Sequence, residues 1–169
     1  MVITDIIIDC EMSIDVKIFC PEKIDALFHA ALMKTDQKIS DPVHVSVVVM
    51  TDQAIRKYNA QYRQKDVPTN VLAFPTVEKN EPWLSLPNQP MILGDIFISW
   101  DRVIQEAGEQ GKSCTHHAMH LLLHGFLHLL HYDHQNDQEA KEMEDLECAV
   151  FHEAGWPNPY LENDALRLG

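Results

Sequence analysis

The sequence predicts an α+β domain: a small mixed sheet packed with helices, with a metal-binding helix lining a cleft. Three observations predict it. Runs rich in β-branched residues gather in the first hundred residues, and helical periodicities fill the last seventy. One of those helices, "SCTHHAMHLLLHGFLHLLH", carries a stripe of histidines on an otherwise apolar cylinder. The 169 residues suffice for one domain, 1–169, with a substantial core, and are few for two.

Taken in order, "VITDIIID" has the composition of a strand. "PEKIDALFHAALMKT" opens on Pro and repeats apolar residues at helical spacing. "VHVSVVVM" is the clearest strand, and "TDQAIRKYNAQYR" follows it with a Thr-Asp start signal for a helix. "QKDVPTNVLAFP" reads as a loop running into a short strand. "TVEKNEPWLSLPNQP" holds three of the nine prolines and predicts an irregular, mobile loop. "MILGDIFIS" is a further strand. "WDRVIQEAGEQG" predicts a helix ending on Gly111, and the histidine helix follows. "DQEAKEMEDLECAVFHEAG" predicts the last helix, with Asp137 as N-cap, Gly155 as its stop and the acidic run "EAKEMEDLE" as its solvated face.

Composition narrows the function classes. Hydrophobic residues at 46% and charged residues at 23% are ordinary globular values, but the net charge of -13 is not. Such a charge repels polyanions at long range, so neither a broad nucleic-acid coat nor a DNA partner is expected. Contact with a phosphate backbone would need a small local basic patch. No apolar run reaches the roughly 18 residues that span a bilayer, so no membrane role is expected. The amino terminus carries acids where an export signal carries Lys or Arg. Cys10, Cys20, Cys114 and Cys148 include no CxxC pair. Cys10 and Cys20 lie near enough in sequence to bridge, but scattered buried thiols are favoured, and a cytoplasmic location is expected.

At 100° per residue, His117, His120, His124, His128 and His131 fall within an arc of roughly 80°. An i, i+4 pair such as His124 and His128 lets one helix offer two imidazoles to one metal. Five residues then separate His128 from His134, room for the chain to turn back with a third ligand. Three protein ligands leave a coordination position open, which marks a catalytic rather than a structural zinc site. Lone histidines in a core are usually only hydrogen-bonded polar groups, but three at this spacing are costly to bury without a shared partner. His117 and His120 continue the row along successive turns that one metal cannot span, so they are expected behind the ligands or in the cleft wall.

The spacing H-x3-H-x5-H matches zinc proteases of the HExxHxxGxxH type, yet Gly125 stands where those carry the Glu that serves as general base. The metal would have to acidify its water unaided, which can bring the pKa to about 7. Proteolysis is therefore disfavoured, and the small residue is expected to open space beside the metal for a charged substrate. Attack at phosphorus needs a group that neutralises phosphoryl oxygens. "YNAQYRQKDVPTNVLAFP" offers Arg63 and Lys65, and a planar guanidinium suits a phosphate without a large basic field. From spacing alone, Arg63 serves equally well as a solvated helix-end residue.

"NAQYRQKDVPTNVLAFP", "LGDIFIS" and "HGFLHLLHYDH", in this order, together with the closing M-x2-L-E and "PNPY", resemble the YbeY family of bacterial endoribonucleases, also called rRNA maturation factors. The resemblance runs from about residue 45 onward. It implies a small α+β fold and metal-dependent cleavage of single-stranded RNA in 16S rRNA 3′ end maturation and ribosome quality control. It further implies His124, His128 and His134 as ligands, Arg63 as the catalytic arginine, and ribosomal RNA with the small subunit and its proteins as partners. One Zn2+ per chain fits three imidazoles, although nickel or another divalent transition metal would also bind. Metal-bound water or hydroxide would attack phosphorus while Arg63 stabilises the developing charge.

Three positions depart from the family pattern. His131 replaces a glycine at which the chain leaves the helix in a left-handed conformation, and Asn70 and Ala73 replace Asp and Ser in "PTDVLSFP". Asp95 is a carboxylate in an apolar strand that would either orient a ligand or bond backbone. Asp133 would either accept a proton from a liganding imidazole or cap the turn, with the cap favoured. Two alternatives stand beside the nuclease: a metal-dependent hydrolase of another substrate class, and a ribosome-assembly factor in which the metal is mainly structural.

Overall fold

The computed structural model describes residues 1–9, 14–15, 17–39 and 42–161. Its elements are β1 (Val2–Ile8), α1 (Pro21–Lys34), β2 (Val43–Met50), α2 (Asp52–Arg63), β3 (Val71–Pro75), β4 (Met91–Ser99), α3 (Trp100–Gln110), α4 (Cys114–Leu129) and α5 (Asp137–Glu153). The fold is α+β, as the sequence predicts. The sheet runs β1-β2-β4-β3, with β1, β2 and β4 parallel and the edge strand β3 antiparallel to β4.

Local chemistry sets most boundaries. Thr51 caps α2 by accepting from Ala54 N at 3.2 Å, and Gly111 ends α3 in the left-handed region at φ 64°. The N-cap of α5 is Asn136 rather than Asp137: its side chain accepts from Glu139 N at 2.9 Å, and Asp137 opens the first turn, where its charge meets the helix dipole. Residues 76–90 hold no helix or strand. Trp83 ties this loop to the rest, its indole N–H donating to Gln37 Oε1 at 3.2 Å. Cys10 lies outside the described residues. Cys20, Cys114 and Cys148 are free thiols, half-buried rather than fully buried.

The parallel strands carry near-continuous aliphatic runs because both faces are covered at the centre of the sheet. On one face α1, α4 and α5 enclose the main core with Val43, Val45, Val47, Leu93, Ile96 and Ile98. On the other, α2 covers a smaller cluster of Met50, Ile55 and Leu72. A bulge makes β4 serve the main core along its whole length. Val45 pairs with Gly94 where strict register would give Leu93, so buried positions shift from odd (Met91, Leu93) to even (Ile96, Ile98). Gly94 is obligatory there: its φ is 145°, and a Cβ would stand 2.1 Å from Phe74 O.

Candidate metal centre

Ser113 starts α4 by accepting from His116 N at 3.1 Å, and the helix then runs through the core with Leu122, Leu123, Phe126 and Leu127 inaccessible. Gly125 seats it on the sheet. A Cβ there would meet Ile96 Cγ2 at 2.9 Å and Val71 Cγ2 at 3.2 Å. The missing side chain therefore lets the helix approach β3 and β4, and does not open space beside a metal. The same contacts leave no room for the glutamate of the protease motif.

The opposite face of α4 carries the histidines. A ligand nitrogen from each of His124, His128 and His134 lies within 4.8 Å of the other two. His124 Nε2 and His128 Nε2 stand 3.1 Å apart, near the roughly 3.3 Å that two nitrogens adopt on a tetrahedral zinc. His134 arrives from the turn after the helix, its ring centroid 5.4 Å from that of His124 and 5.3 Å from that of His128. Burial, reinforced by His124 and His134, pushes the His128 imidazole down to about 4, so at neutral pH it is an uncharged donor, the form a metal takes. The residues present thus fit a zinc or a similar divalent ion.

Behind the three histidines lies a carboxylate, where the acidic run "EAKEMEDLE" predicts a solvated face. Glu147 is wholly buried. Its Oε1 is 2.7 Å from His124 Nδ1, its Oε2 is 3.0 Å from His120 Nε2, and it accepts from the Tyr160 hydroxyl. Burial alone would raise its pKa, but the bonds to His120 and His124 outweigh that and hold it at about 2. A carboxylate ionised at neutral pH only accepts, so His124 donates through Nδ1, and its Nε2 is the nitrogen that faces His128. That is the arrangement by which outer carboxylates orient metal-binding imidazoles. The spacing Met143, Glu147, Val150, Phe151 places Glu147 in the buried stripe of α5, a signal the acidic run obscured. Within M-x2-L-E and "PNPY", Glu147 and Tyr160 meet at one hydrogen bond.

His120 is therefore a partner of Glu147 and lies outside the ligand set. His117 Nε2 bonds Glu106 Oε2 at 2.7 Å, and Glu106 also accepts from Asn70 Nδ2 at 3.2 Å. Burial would raise the Glu106 carboxyl, but His117 and Asn70 together hold it below its usual range. An aspartate at 70 would set two carboxylates face to face, so Asn70 suits Glu106 in this chain.

The remaining predicted residues are placed as follows. Asp133 Oδ1 accepts from His134 N at 2.8 Å, the turn cap that the sequence favours. His131 turns away from the ligands and stacks on Trp83, centroids 5.4 Å apart, with the left-handed φ of 69° expected at the replaced glycine. Asp95 is exposed and alternates with Ile96, so it points to the sheet face opposite α4 and orients no histidine. Lys65 is exposed. Arg63 is also exposed. Its Nη2 donates to Ala73 O at 3.1 Å on β3, the strand on which α4 lies, and no hydrogen bond or ion pair joins it to the three histidines among the described residues. Asn59, buried in α2, donates from Nδ2 to Val67 O at 2.8 Å and fixes the loop after Arg63.

A mixed four-stranded sheet that backs a helix bearing two of three converging imidazoles, the first bonded to a buried carboxylate, defines a protein with a three-histidine group that could hold a metal ion. The family model described as "Endoribonuclease YbeY" matches residues 10–155, and the chain belongs to that family. An endoribonuclease YbeY of Rhodopseudomonas palustris is 45% identical over 120 residues, covering 71% of this chain and 62% of its own length. Its counterpart in Magnetococcus marinus is 44% identical over 71% of this chain and 84% of its own. That of a Bradyrhizobium species is 40% identical over 81% and 80%. The solution structure of a Thermotoga maritima protein has the same fold, with a TM-score of 0.53 at 22% identity, covering 93% of this chain and 99% of that one. No helix among the described residues is long and apolar enough to cross a membrane.

Proposed function

We propose that this chain, acting as one domain, is a metal-dependent, single-strand-specific endoribonuclease of the cytoplasm, working in 16S rRNA 3′ end maturation and ribosome quality control. Its partners are then ribosomal RNA and the small subunit with its proteins. The observation that carries the reading is the three-imidazole group oriented by Glu147 in a chain of the YbeY family. Zinc held by His124, His128 and His134 would supply Lewis acidity at the scissile phosphate and a nucleophile at neutral pH.

The protein's own residues divide the rest of the work. Glu147 keeps the proton of His124 on Nδ1. It cannot also serve as general base, because both oxygens are engaged and shielded from solvent. This counts against peptide hydrolysis of the protease type. Arg63 uses one N–H on Ala73 O, and its remaining donors suit the oxygens of a phosphate in which charge develops.

The test is cleavage of a short single-stranded RNA by the wild type and by Arg63→Ala, purified in parallel so that contaminating nucleases are shared. The expected outcome is cutting that a chelator abolishes and zinc restores, with the variant slower by roughly 10²–10³-fold. Equal cutting by both would remove Arg63 from the mechanism. Zinc binding without cutting by either would leave the metal as a clamp between the 130–134 turn and α4, in an assembly factor.

A further inference from the structure

A second concavity lies beyond the ligands on the same turn. It is a cleft of about 660 Å3, widely open to solvent, between the segment after α1, the 76–90 loop and the end of α4, and its lining includes Gln37, Lys38, Lys79, Trp83, His131 and Tyr132. That volume falls within the range of pockets that hold small organic ligands. His131, Tyr132 and the metal-binding His134 share one short turn. Three residues span at most about 10 Å, so the pocket lies within the reach of neighbouring nucleotides on one strand.

Its chemistry is specific. Trp83 and His131 form a stacked pair, interplanar angle 25°, and Gln37 clamps it by accepting from the indole N–H and donating to Leu130 O at 3.2 Å. Lys38 and Lys79 are exposed at its rim; Glu81 is the acid among the described lining residues, and Glu78 and Asp36 act on His131 and Tyr132 from nearby. His131 holds the left-handed backbone with which the chain leaves α4, and this turn presents its ring to Trp83.

We propose that this pocket is a subsite for one nucleotide flanking the scissile phosphate, its base stacked on the Trp83–His131 pair and its phosphate facing Lys38 and Lys79. The assignment rests on the RNA-cutting reading for its ligand. Planar aromatic surface with adjacent cations suits a nucleobase of any identity, because every base has a π-face.

The experiment uses a fluorescein-labelled 2′-O-methyl RNA octamer and a set in which one abasic position moves along the strand. Binding to the zinc-loaded protein is read by anisotropy. Wild type should bind one member roughly ten-fold more weakly than the intact octamer. Trp83→Ala and His131→Gly should bind every member alike. His131→Gly suits the left-handed backbone at that position, so it keeps the test valid if Trp83→Ala fails to fold. Equal binding of all members by the wild type, a positional effect that survives in the variants, or no binding at all would overturn the subsite. Cleavage of unmodified octamer separates the two readings. A positional effect without cutting leaves the subsite standing and removes the nuclease, whereas cutting without a positional effect does the reverse.

Discussion

Replacing Glu147 with Gln tests the electrostatic core of the site with the smallest change of shape. The carboxylate accepts from His120, His124 and Tyr160 and donates to none. Glutamine offers one acceptor oxygen and one amide nitrogen that only donates, so at least one of the three partners would face a donor. A hydrogen bond to a charged group contributes roughly 1.5–3 kcal/mol, and a buried group left unpaired adds a similar penalty. The expected loss is therefore about 2–4 kcal/mol, a fall in Tm of roughly 5–15 °C for a chain of this size. His124 would also lose the partner that fixes its tautomer, and zinc affinity should drop by about 10–100-fold. Thermal unfolding of the metal-free variant measures the first effect, and competition with a chromogenic chelator the second. A Glu147→Gln protein with wild-type Tm and wild-type zinc affinity would refute the assignment, since it would mean that carboxylate desolvation cancels its bonds and that His124 needs no orientation.

Three further outcomes follow from the same geometry. Gly125→Ala gains about 1 kcal/mol of helix propensity but drives a methyl into Ile96 and Val71, and overpacking of about 1–3 kcal/mol should dominate, lowering Tm by a few degrees in a calorimetric scan. Asn70→Asp should destabilise by about 1–2 kcal/mol at pH 8 and less at pH 4, because a proton shared with Glu106 relieves the repulsion. A deficit that stays constant across that range would contradict the pairing. For His128 in the metal-free protein, the folded pKa of about 4 lies below the ordinary 6.5, so the unfolded chain binds a proton the folded one refuses. Its contribution is complete above pH 6.5 and is lost as pH falls through 4, at most about 3 kcal/mol. Urea titrations of wild type and His128→Gln between pH 7 and pH 4 should show that difference.

Much of this architecture is legible in the chain. "VHVSVVVM" can scarcely be anything but a central strand, and the histidine arc of α4 follows from helical geometry alone. What escaped was information about which face meets which. The run "EAKEMEDLE" reads as solvated because acids outnumber apolar residues, yet Glu147 shares the Met143–Phe151 stripe, and its burial depends on two histidines in another helix. Gly125 reads as space because the metal motif directs attention to one side of the helix, whereas the sheet lies on the other. Asp95 follows an irregularity: the register shift at Gly94 decides which face it takes, and no local pattern announces a bulge.

The bond between Tyr160 and Glu147 gives the site a temporal order as well as a shape. Synthesis proceeds past His134 well before it reaches Tyr160, a lag of roughly 1–5 s at ordinary elongation rates. During that interval the three imidazoles exist on a nascent chain while the hydroxyl that completes the environment of Glu147 does not. Until Tyr160 is in place Glu147 has only His120 and His124 as partners, and the end of the "PNPY" segment supplies the third donor that fixes the carboxylate in the core.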